Sequence, residues 1–417
     1  MPEHFAFDHA GRTMFPLDDA LRIVLSRGCP LPTEHVPLHR AYERILSQDV
    51  IADDSHPPVP LSSRDGWAVA ADGAVSRSDM GHVYQIAGEV RAGDHRLMAV
   101  DQGQAVRIFT GAPLPPGTDT VIMQEHARYD ETSLYVPAAP TRGRWVRTVG
   151  SDYAAGQVLL ERGAIVRAEH LAILASIGKT MVPVFEQPTV AVLITGDEIV
   201  DHHLLTCPPG KIRNANVVAL EALITETGAI PMYLGHVGDD RDALKRAIES
   251  APDSHLLLTV GGASVGDYDH VLPVVDELGF ALEFTRIAIK PGKPTIFGHH
   301  RSRLFIGLPG NPVSCITVFR LLVEPLLKKL AGRSFIVRPR SRAILTTSER
   351  KDPDRAYYIP GRIHHSEDQL FATPAVQRES SALMALRDAN GLIVLPLEST
   401  IIEAGSRVDV IHVDREE

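Results

Sequence analysis

Between Leu256 and Pro312 the chain gathers the residues best suited to hold an anion. Lys290 and Lys293 flank Pro291 and Gly292 in a turn too tight for a helix, so both ammonium groups can face one small site. Paired lysines in a rigid turn suit a compact oxyanion, whereas a planar carboxylate would favour the fork of an arginine. From Glu283 to Glu324 six Lys and Arg occur with no acidic residue between, in a chain whose net charge is −10. An anionic ligand is therefore drawn to this stretch.

A second group of residues precedes the lysines. The apolar run Leu256–Val260 leads into Gly261-Gly262-Ala263-Ser264-Val265-Gly266-Asp267-Tyr268-Asp269, and a helical pattern follows at Val271, Val274, Val275 and Leu278. Strand, glycine loop and helix let a backbone approach a phosphate and aim unpaired N–H groups at it. Asp267 and Asp269 would repel a bare phosphate but bind one through Mg²⁺; Asp269 is equally readable as a helix N-cap. The loop is not a Walker A motif, because Asp267 stands where the lysine is needed. Gly262-Ala263-Ser264-Val265-Gly266 also fits a nucleophile elbow, and with His364, His365 or His412 as base it gives an alternative reading as a serine hydrolase acting through Ser264. Further on, Gly307 to Pro312 predicts another loop opening a helix, with Asn311 as N-cap, Pro312 at the first position, and Val313, Ile316, Phe319 and Leu322 on one face.

The elements that position these groups follow from pattern. From Thr189 strand and helix signals alternate: Thr189–Thr195, Asn216–Thr227, Met232–Leu234, Asp240–Ser250, then Leu256–Val260. That alternation predicts a mostly parallel sheet with helices on both faces, binding ligands beyond the carboxyl ends of its strands. Gly196-Asp197-Glu198 and Asp239-Asp240 should then share a rim with the glycine loop. Residues 335–417 predict a small β domain with one helical pattern at Ser381–Arg387. Earlier, a helix is expected at Leu17–Arg27, a short one around His39–Leu46, and a turn at Asp65-Gly66 before a strand at Trp67-Ala68-Val69. The division expected is 14–54 with 146–186 as a discontinuous N-terminal dimerisation domain, 55–145 as an inserted β-rich domain, 187–334 as the α/β domain, and 335–417 as a β-barrel-like domain.

At 44% hydrophobic and 23% charged residues over 417, the composition is that of a multidomain soluble protein. No apolar run approaches the ~20 residues of a membrane span, and the acidic, histidine-containing Met1–Ala10 is unlike a signal peptide, which makes the cytoplasm the expected compartment. Cys29, Cys207 and Cys315 are too few and too scattered for a disulfide framework or a Cys-x-x-Cys metal site, and the 19 histidines form no spaced ligand set. Any metal handled here must arrive with ligands of its own.

Seven stretches in order resemble the molybdopterin molybdenumtransferase family, whose members include the gephyrin E domain: Asp65-Gly66-Trp67-Ala68-Val69, Thr110-Gly111-Ala112-Pro113, Gly150-Ser151-Asp152, Thr195-Gly196-Asp197-Glu198, Gly261 to Asp269, Lys290-Pro291-Gly292-Lys293-Pro294, and Leu308-Pro309-Gly310-Asn311-Pro312. The resemblance implies molybdate insertion into the dithiolene of adenylylated molybdopterin with Mg²⁺-assisted release of AMP. It implies a molybdate site at Lys290, Lys293, Pro294, Arg355 and Ser380, with Asp269, Glu198 and Asp240 for Mg²⁺ and catalysis. Thr195, Gly196, Asp197, Gly261, Gly262, Ser264, Gly266, Asp267, Pro309, Gly310, Asn311 and Pro312 would line the adenylyl-molybdopterin. Asp65, Thr110 and Asp152 match catalytic positions reaching a neighbouring subunit's site, which implies a homodimer. The enzyme that makes the adenylylated pterin is the implied protein partner, and neither nucleic acid nor membrane is implied. The chain departs from the family at Gln377-Arg378-Glu379-Ser380-Ser381, where a glycine-rich turn is usual, and at Tyr357 and Pro360, where an acidic and a basic residue are usual. An alternative is thus a paralogue that binds the pterin or serves as a scaffold.

Overall fold

The computed structural model describes residues 6–7, 13–77, 81–94, 98–262, 270–377 and 379–413. Ser264, Gly266, Asp267 and Asp269 lie outside these residues. The chain forms two compact units, one of Met1–Ser47, Gly163–Arg167 and Met181–Glu417, the other of Gln48–Arg162 and Ala168–Thr180. It therefore leaves the first unit and returns to it twice.

Helix α1 (Leu17–Arg27) carries Asp18 and Asp19 in its first turn and Arg27 in its last, which complements the helix dipole. Its Leu17, Ala20 and Val24 enter the core of the first unit. The helix expected around His39–Leu46 is only a 3₁₀ turn, Leu38–Arg40. Ile45 and Leu46 are extended instead and bridge to Ile165 and Val184, a tertiary pairing that outweighs a weak local propensity.

In the second unit β1 (Gly66–Val69), β2 (Gly81–Val90), β3 (Gln104–Ile108), β4 (Thr120–Met123) and β5 (Ser133–Val136) run side by side as β4-β1-β3-β2-β5. Alternate residues serve opposite faces: Ala68, Val106, Ile108 and Val121 join one cluster, Trp67, Val69, Ala105 and Ile122 another. Gly66, expected in a turn, is the first residue of β1. A Cβ there would stand 1.9 Å from the Ile122 carbonyl oxygen, so glycine is required by the approach of β4 and not by a bend. Helix α2 (Ala168–Ser176) completes this unit.

The first unit then builds its sheet from β6 (Thr189–Thr195), α3 (Ala215–Glu226), β7 (Ile230–Val237), α4 (Arg241–Glu249), β8 (Leu256–Val260), α5 (Val271–Glu277), β9 (Ala281–Phe284), β10 (Ile289–Lys290), β11 (Ile296–His300) and β12 (Arg303–Leu308). The sheet order is β7-β6-β8-β12-β11-β9, with β10 outside it. The first four strands are parallel, and β11 and β9 add an antiparallel edge. Val190, Val192 and Ile194 of β6 pack with α3, whereas Ala191 and Leu193 pack with Leu244 and Ile248 of α4 and Val271 and Val274 of α5. Two-residue periodicity inside one strand thus covers both faces with helices.

After β12 one long helical run contains α6 (Pro312–Val318), a π-helical turn Phe319–Val323 and α7 (Glu324–Leu330). Pro325 lacks the N–H that the Leu321 carbonyl would take, and the π turn absorbs that mismatch. The chain ends in a closed barrel of β13 (Arg340–Leu345), β14 (Ala356–Ser366), β15 (Gln369–Pro374), β16 (Gly391–Leu395) and β17 (Arg407–His412), ordered β14-β15-β13-β17-β16 and back to β14. Only a 3₁₀ turn, Leu383–Leu386, forms where a helix was expected at Ser381–Arg387. Among the described residues, no helix is long and apolar enough to cross a membrane.

Candidate functional site

The four parallel strands end on one rim, and each is followed within two residues by glycine: Gly196, Gly238, Gly261 and Gly310. Gly196 N–H donates to Val237 O and Gly261 N–H to Leu308 O, while Thr195 Oγ1 donates to Val260 O. Space is short. A Cβ on Gly261 would stand 2.7 Å from Thr195 O, and one on Gly310 would stand 3.4 Å from the Gly261 Cα. Gly261 and Gly262 both have positive φ, at 91° and 59°. Close backbone approach explains the glycines, and it leaves backbone rather than side chains to face a ligand. Pro309, the residue after β12, is buried.

Acidic groups decorate the same rim. Glu198 folds back over Gly196, where an added Cβ would stand 2.7 Å from Glu198 Oε2. Asp197 Oδ1 accepts from the Asp239 N–H at 3.0 Å and so ties the end of β6 to that of β7. Asp240 is the N-cap of α4, its Oδ1 accepting from Ala243 N–H at 2.7 Å. This structural role was not foreseen for Asp240. Among the described residues no group of three His, Cys, Asp or Glu is arranged to hold a metal. The carboxylates of Asp197, Glu198 and Asp240 are hard oxygen donors, the class of ligand that Mg²⁺ takes one or two at a time alongside phosphate oxygens and water.

The lysine turn is pinned to the barrel. Ile289 and Lys290 pair in parallel with Ala356 and Tyr357 of β14, and the Lys290–Pro291 bond is cis. Thr295 Oγ1 donates to Gly292 O, and the Lys293 carbonyl accepts from Ile287 and Thr295 N–H, which closes the turn that also carries Pro294. Gly292 has φ 122°, and a Cβ there would meet Val318 Cγ2 at 2.5 Å. Lys290 Nζ donates to Tyr357 Oη at 3.1 Å and lies 4.0 Å from Asp352 Oδ2. Arg355 reaches that same oxygen at 3.5 Å while its Nε donates to Asp354. Lys290, Pro291, Lys351, Asp352, Tyr357 and Glu379 line a cavity of about 370 Å³.

Ser380 comes to this edge from the barrel by backbone and side chain alike. Its carbonyl accepts from Val313 N–H, and its Oγ accepts from Asn311 Nδ2 at 2.8 Å. Asn311 does occupy the N-cap position of α6, with Pro312 next, but its side chain makes no capping bond. The expected cap is thus replaced by the Asn311–Ser380 link, because Ser380 O already satisfies a free N–H of the first turn.

In the second unit Asp65 Oδ1 accepts from both the N–H and the hydroxyl of Thr110 at 2.8 Å. The backbone bond from Thr110, then the hydroxyl bond, hold the Asp65 carboxyl below its ordinary value. Asp152 lies 3.9 Å from Arg147. Besides Asp352, sequence reasoning missed three residues that shape the first unit's rim and cavity. Asn216 Nδ2 donates to Gly310 O, His236 Nε2 lies 2.6 Å from Gly196 O, and Lys351 Nζ donates to the carbonyls of Asp352, Arg355 and Leu397. Asn216 at a helix start was the one signal the sequence offered; nothing in it marked His236 or Lys351.

Residues 15–178 match the family model described as MoeA N-terminal region (domain I and II), 191–329 the probable molybdopterin binding domain, and 342–413 the MoeA C-terminal region (domain IV). A Bacillus subtilis molybdopterin molybdenumtransferase is 34% identical over 97% of this chain and 95% of its own length. A Nostoc protein of the same name is also 34% identical, over 91% and 88%. The crystal structure of a molybdopterin biosynthesis MoeA protein from Pyrococcus horikoshii superposes with a TM-score of 0.85 at 31% identity, covering 96% of this chain and 99% of that one.

Proposed function

We propose, on the premise that this chain belongs to the molybdopterin molybdenumtransferase family, that it inserts molybdate into adenylylated molybdopterin and releases AMP. The chain is a molybdopterin molybdenumtransferase of molybdenum cofactor biosynthesis; the adenylylated form of the substrate, the Mg²⁺ requirement, the subunit arrangement and the residue roles below are the proposal. One observation carries the site assignment: two cations, Lys290 and Arg355, converge on a single carboxylate oxygen of Asp352. A place that already gathers two cations around one anion suits an oxyanion.

In this reading Lys290, Lys293, Pro294, Arg355 and Ser380 hold molybdate, and the two pterin thiolates provide the sulfur ligands the metal takes up. The crowded rim at Thr195, Gly196, Asp197, Gly261, Gly262 and Pro309–Pro312, with Ser264, Gly266 and Asp267, seats the adenylylated pterin. Glu198, Asp240 and Asp269 would hold Mg²⁺, Asp240 also capping the start of α4. Bound there, Mg²⁺ would offset negative charge on the phosphates whose linkage is cleaved. The protein's own carboxylates would orient a water molecule whose oxygen forms a new bond to one phosphorus as the bond between the two phosphates breaks, so that AMP and the phosphorylated pterin separate and a proton passes to solvent. In the proposed homodimer Asp65, Thr110 and Asp152 complete the site of the neighbouring subunit.

Purified protein mixed with adenylyl-molybdopterin, Mg²⁺ and molybdate should yield AMP together with active cofactor. Tight pterin binding without AMP would favour the scaffold reading. The hydrolase reading has little support, since the family comparisons do not favour it and His364 stacks on Phe371. A fluorophosphonate probe labelling Ser264 would revive it.

A further inference from the structure

We propose that Asp352 is an internal anion that competes with the incoming oxyanion and so sets how much oxyanion the site demands. This deepens the reading of Lys290 and Arg355 as oxyanion ligands and rests on it. Lys351 fixes the stage: it is buried, and its Nζ donates to the carbonyls of Asp352 and Arg355 at 2.9 Å and of Leu397 at 3.0 Å. Three bonds to backbone oxygens lock the turn from 351 to 355 and present Asp352 and Arg355 side by side.

Tyr357 then holds the carboxylate. Asp352 N–H donates to Tyr357 Oη at 3.2 Å, and Tyr357 Oη donates to Asp352 Oδ2 at 2.9 Å. Lys290 Nζ donates to that phenol oxygen at 3.1 Å, lies 4.8 Å above its ring, and is 4.0 Å from Asp352 Oδ2. Arg355 Nη2 is 3.5 Å from the same oxygen. One carboxylate oxygen thus engages a hydroxyl, an ammonium and a guanidinium, the kinds of donor a tetrahedral oxyanion uses, and Lys290, Asp352 and Tyr357 line the cavity described above.

Asp352 can yield, since its side chain is 56% exposed and can turn to water while Lys351 keeps the backbone in place. The Tyr357 hydroxyl, keeping its proton, would then redirect its hydrogen bond from the carboxylate to the oxyanion. An oxyanion binds only the fraction of sites from which Asp352 has withdrawn, so apparent affinity falls by that fraction. Tyr357 makes the latch a hydroxyl that can serve either anion.

Equilibrium dialysis of the purified chain against molybdate, without pterin and with bound metal counted by mass spectrometry, tests this directly. Asp352→Asn should bind molybdate about 3- to 10-fold more tightly than wild type. Asp352→Glu, which keeps a competing carboxylate, should stay near wild type, as should Asp388→Asn on an exposed ion pair with Arg387. Lys290→Ala should bind more weakly. If Asp352→Asn binds no more tightly while Lys290→Ala is weakened, the competitor role of Asp352 is wrong and the oxyanion site stands. If Lys290→Ala binds as wild type does, the oxyanion site itself is misassigned and Asp352 falls with it. Circular dichroism of each variant separates these outcomes from misfolding.

Discussion

Lys290 and Lys293 sit three residues apart in one turn, yet they are anchored differently. The Lys290 ammonium is held against Tyr357 by a hydrogen bond and by the ring face, whereas Lys293 closes the turn through its own carbonyl. If both ammonium groups serve the oxyanion, removing one loses a charge-assisted contact of about 1.5–3 kcal/mol, and Lys293→Ala should raise the molybdate requirement roughly 10- to 150-fold. AMP release measured against molybdate concentration should recover when molybdate is raised. Asp269→Asn removes charge from the proposed Mg²⁺ shell and should depress AMP release at every molybdate concentration. Recovery of Asp269→Asn with molybdate, without recovery of Lys293→Ala, would reverse the two assignments.

The helical run Pro312–Leu330 is the element that connects rim to barrel. Its first turn takes the Ser380 carbonyl, and Glu324, at the junction after the π turn, meets Lys328 Nζ at 3.0 Å, Arg320 at 3.1 Å and Arg338 at 2.8 Å. Arg338 also donates to His412 O on the last barrel strand. Burial alone would push the Glu324 carboxyl up, but Arg338, Lys328 and Arg320 outweigh it and hold the group below its ordinary value. A depressed folded value contributes stability that is full above the unfolded carboxyl value near ~4.3 and is lost as pH falls through the folded one. Glu324→Gln leaves three cations facing a neutral group and should cost about 3–5 kcal/mol at pH 7. Urea midpoints at pH 7 and at about pH 3 should show that deficit shrinking in acid. An equal deficit at both would mean that packing, not charge, holds the junction.

At the scale of the molecule, the residues expected to act together are divided between two compact units. Asp65 and Thr110 are joined by two hydrogen bonds in one, and the lysine turn lies in the other. The proposed homodimer makes this division useful, because each subunit would lend Asp65 to its partner. Mixing Asp65→Ala chains with Asp269→Asn chains should then leave one intact site per heterodimer. Activity should return to roughly a quarter of wild type under random assortment, with each parent inactive. Stable mixed dimers that recover nothing would argue against shared sites.

Strands with uninterrupted apolar runs were legible from sequence because local pattern and tertiary demand agree there. Thr189–Thr195 and Leu256–Val260 begin and end where the pattern places them. Helix α1 was equally plain, with its acidic start, basic end and glycine stop. The lysine turn and the glycine rim could be picked out because proline, glycine and unopposed charge are local properties. Other assignments required neighbours distant in the chain. Leu46 is extended because Val184 pairs with it, Gly66 is glycine because Ile122 O crowds it, and Asn311 forgoes its cap because Ser380 arrives from the barrel. The setting of Lys290 was likewise decided by tertiary structure alone: Tyr357 and Asp352 lie more than sixty residues away, and the parallel pairing of β10 with β14 brings them within reach of its ammonium. Sequence fixes which chemical groups are present; which of them become partners depends on strand pairing, where each contact is set by register between segments remote along the chain.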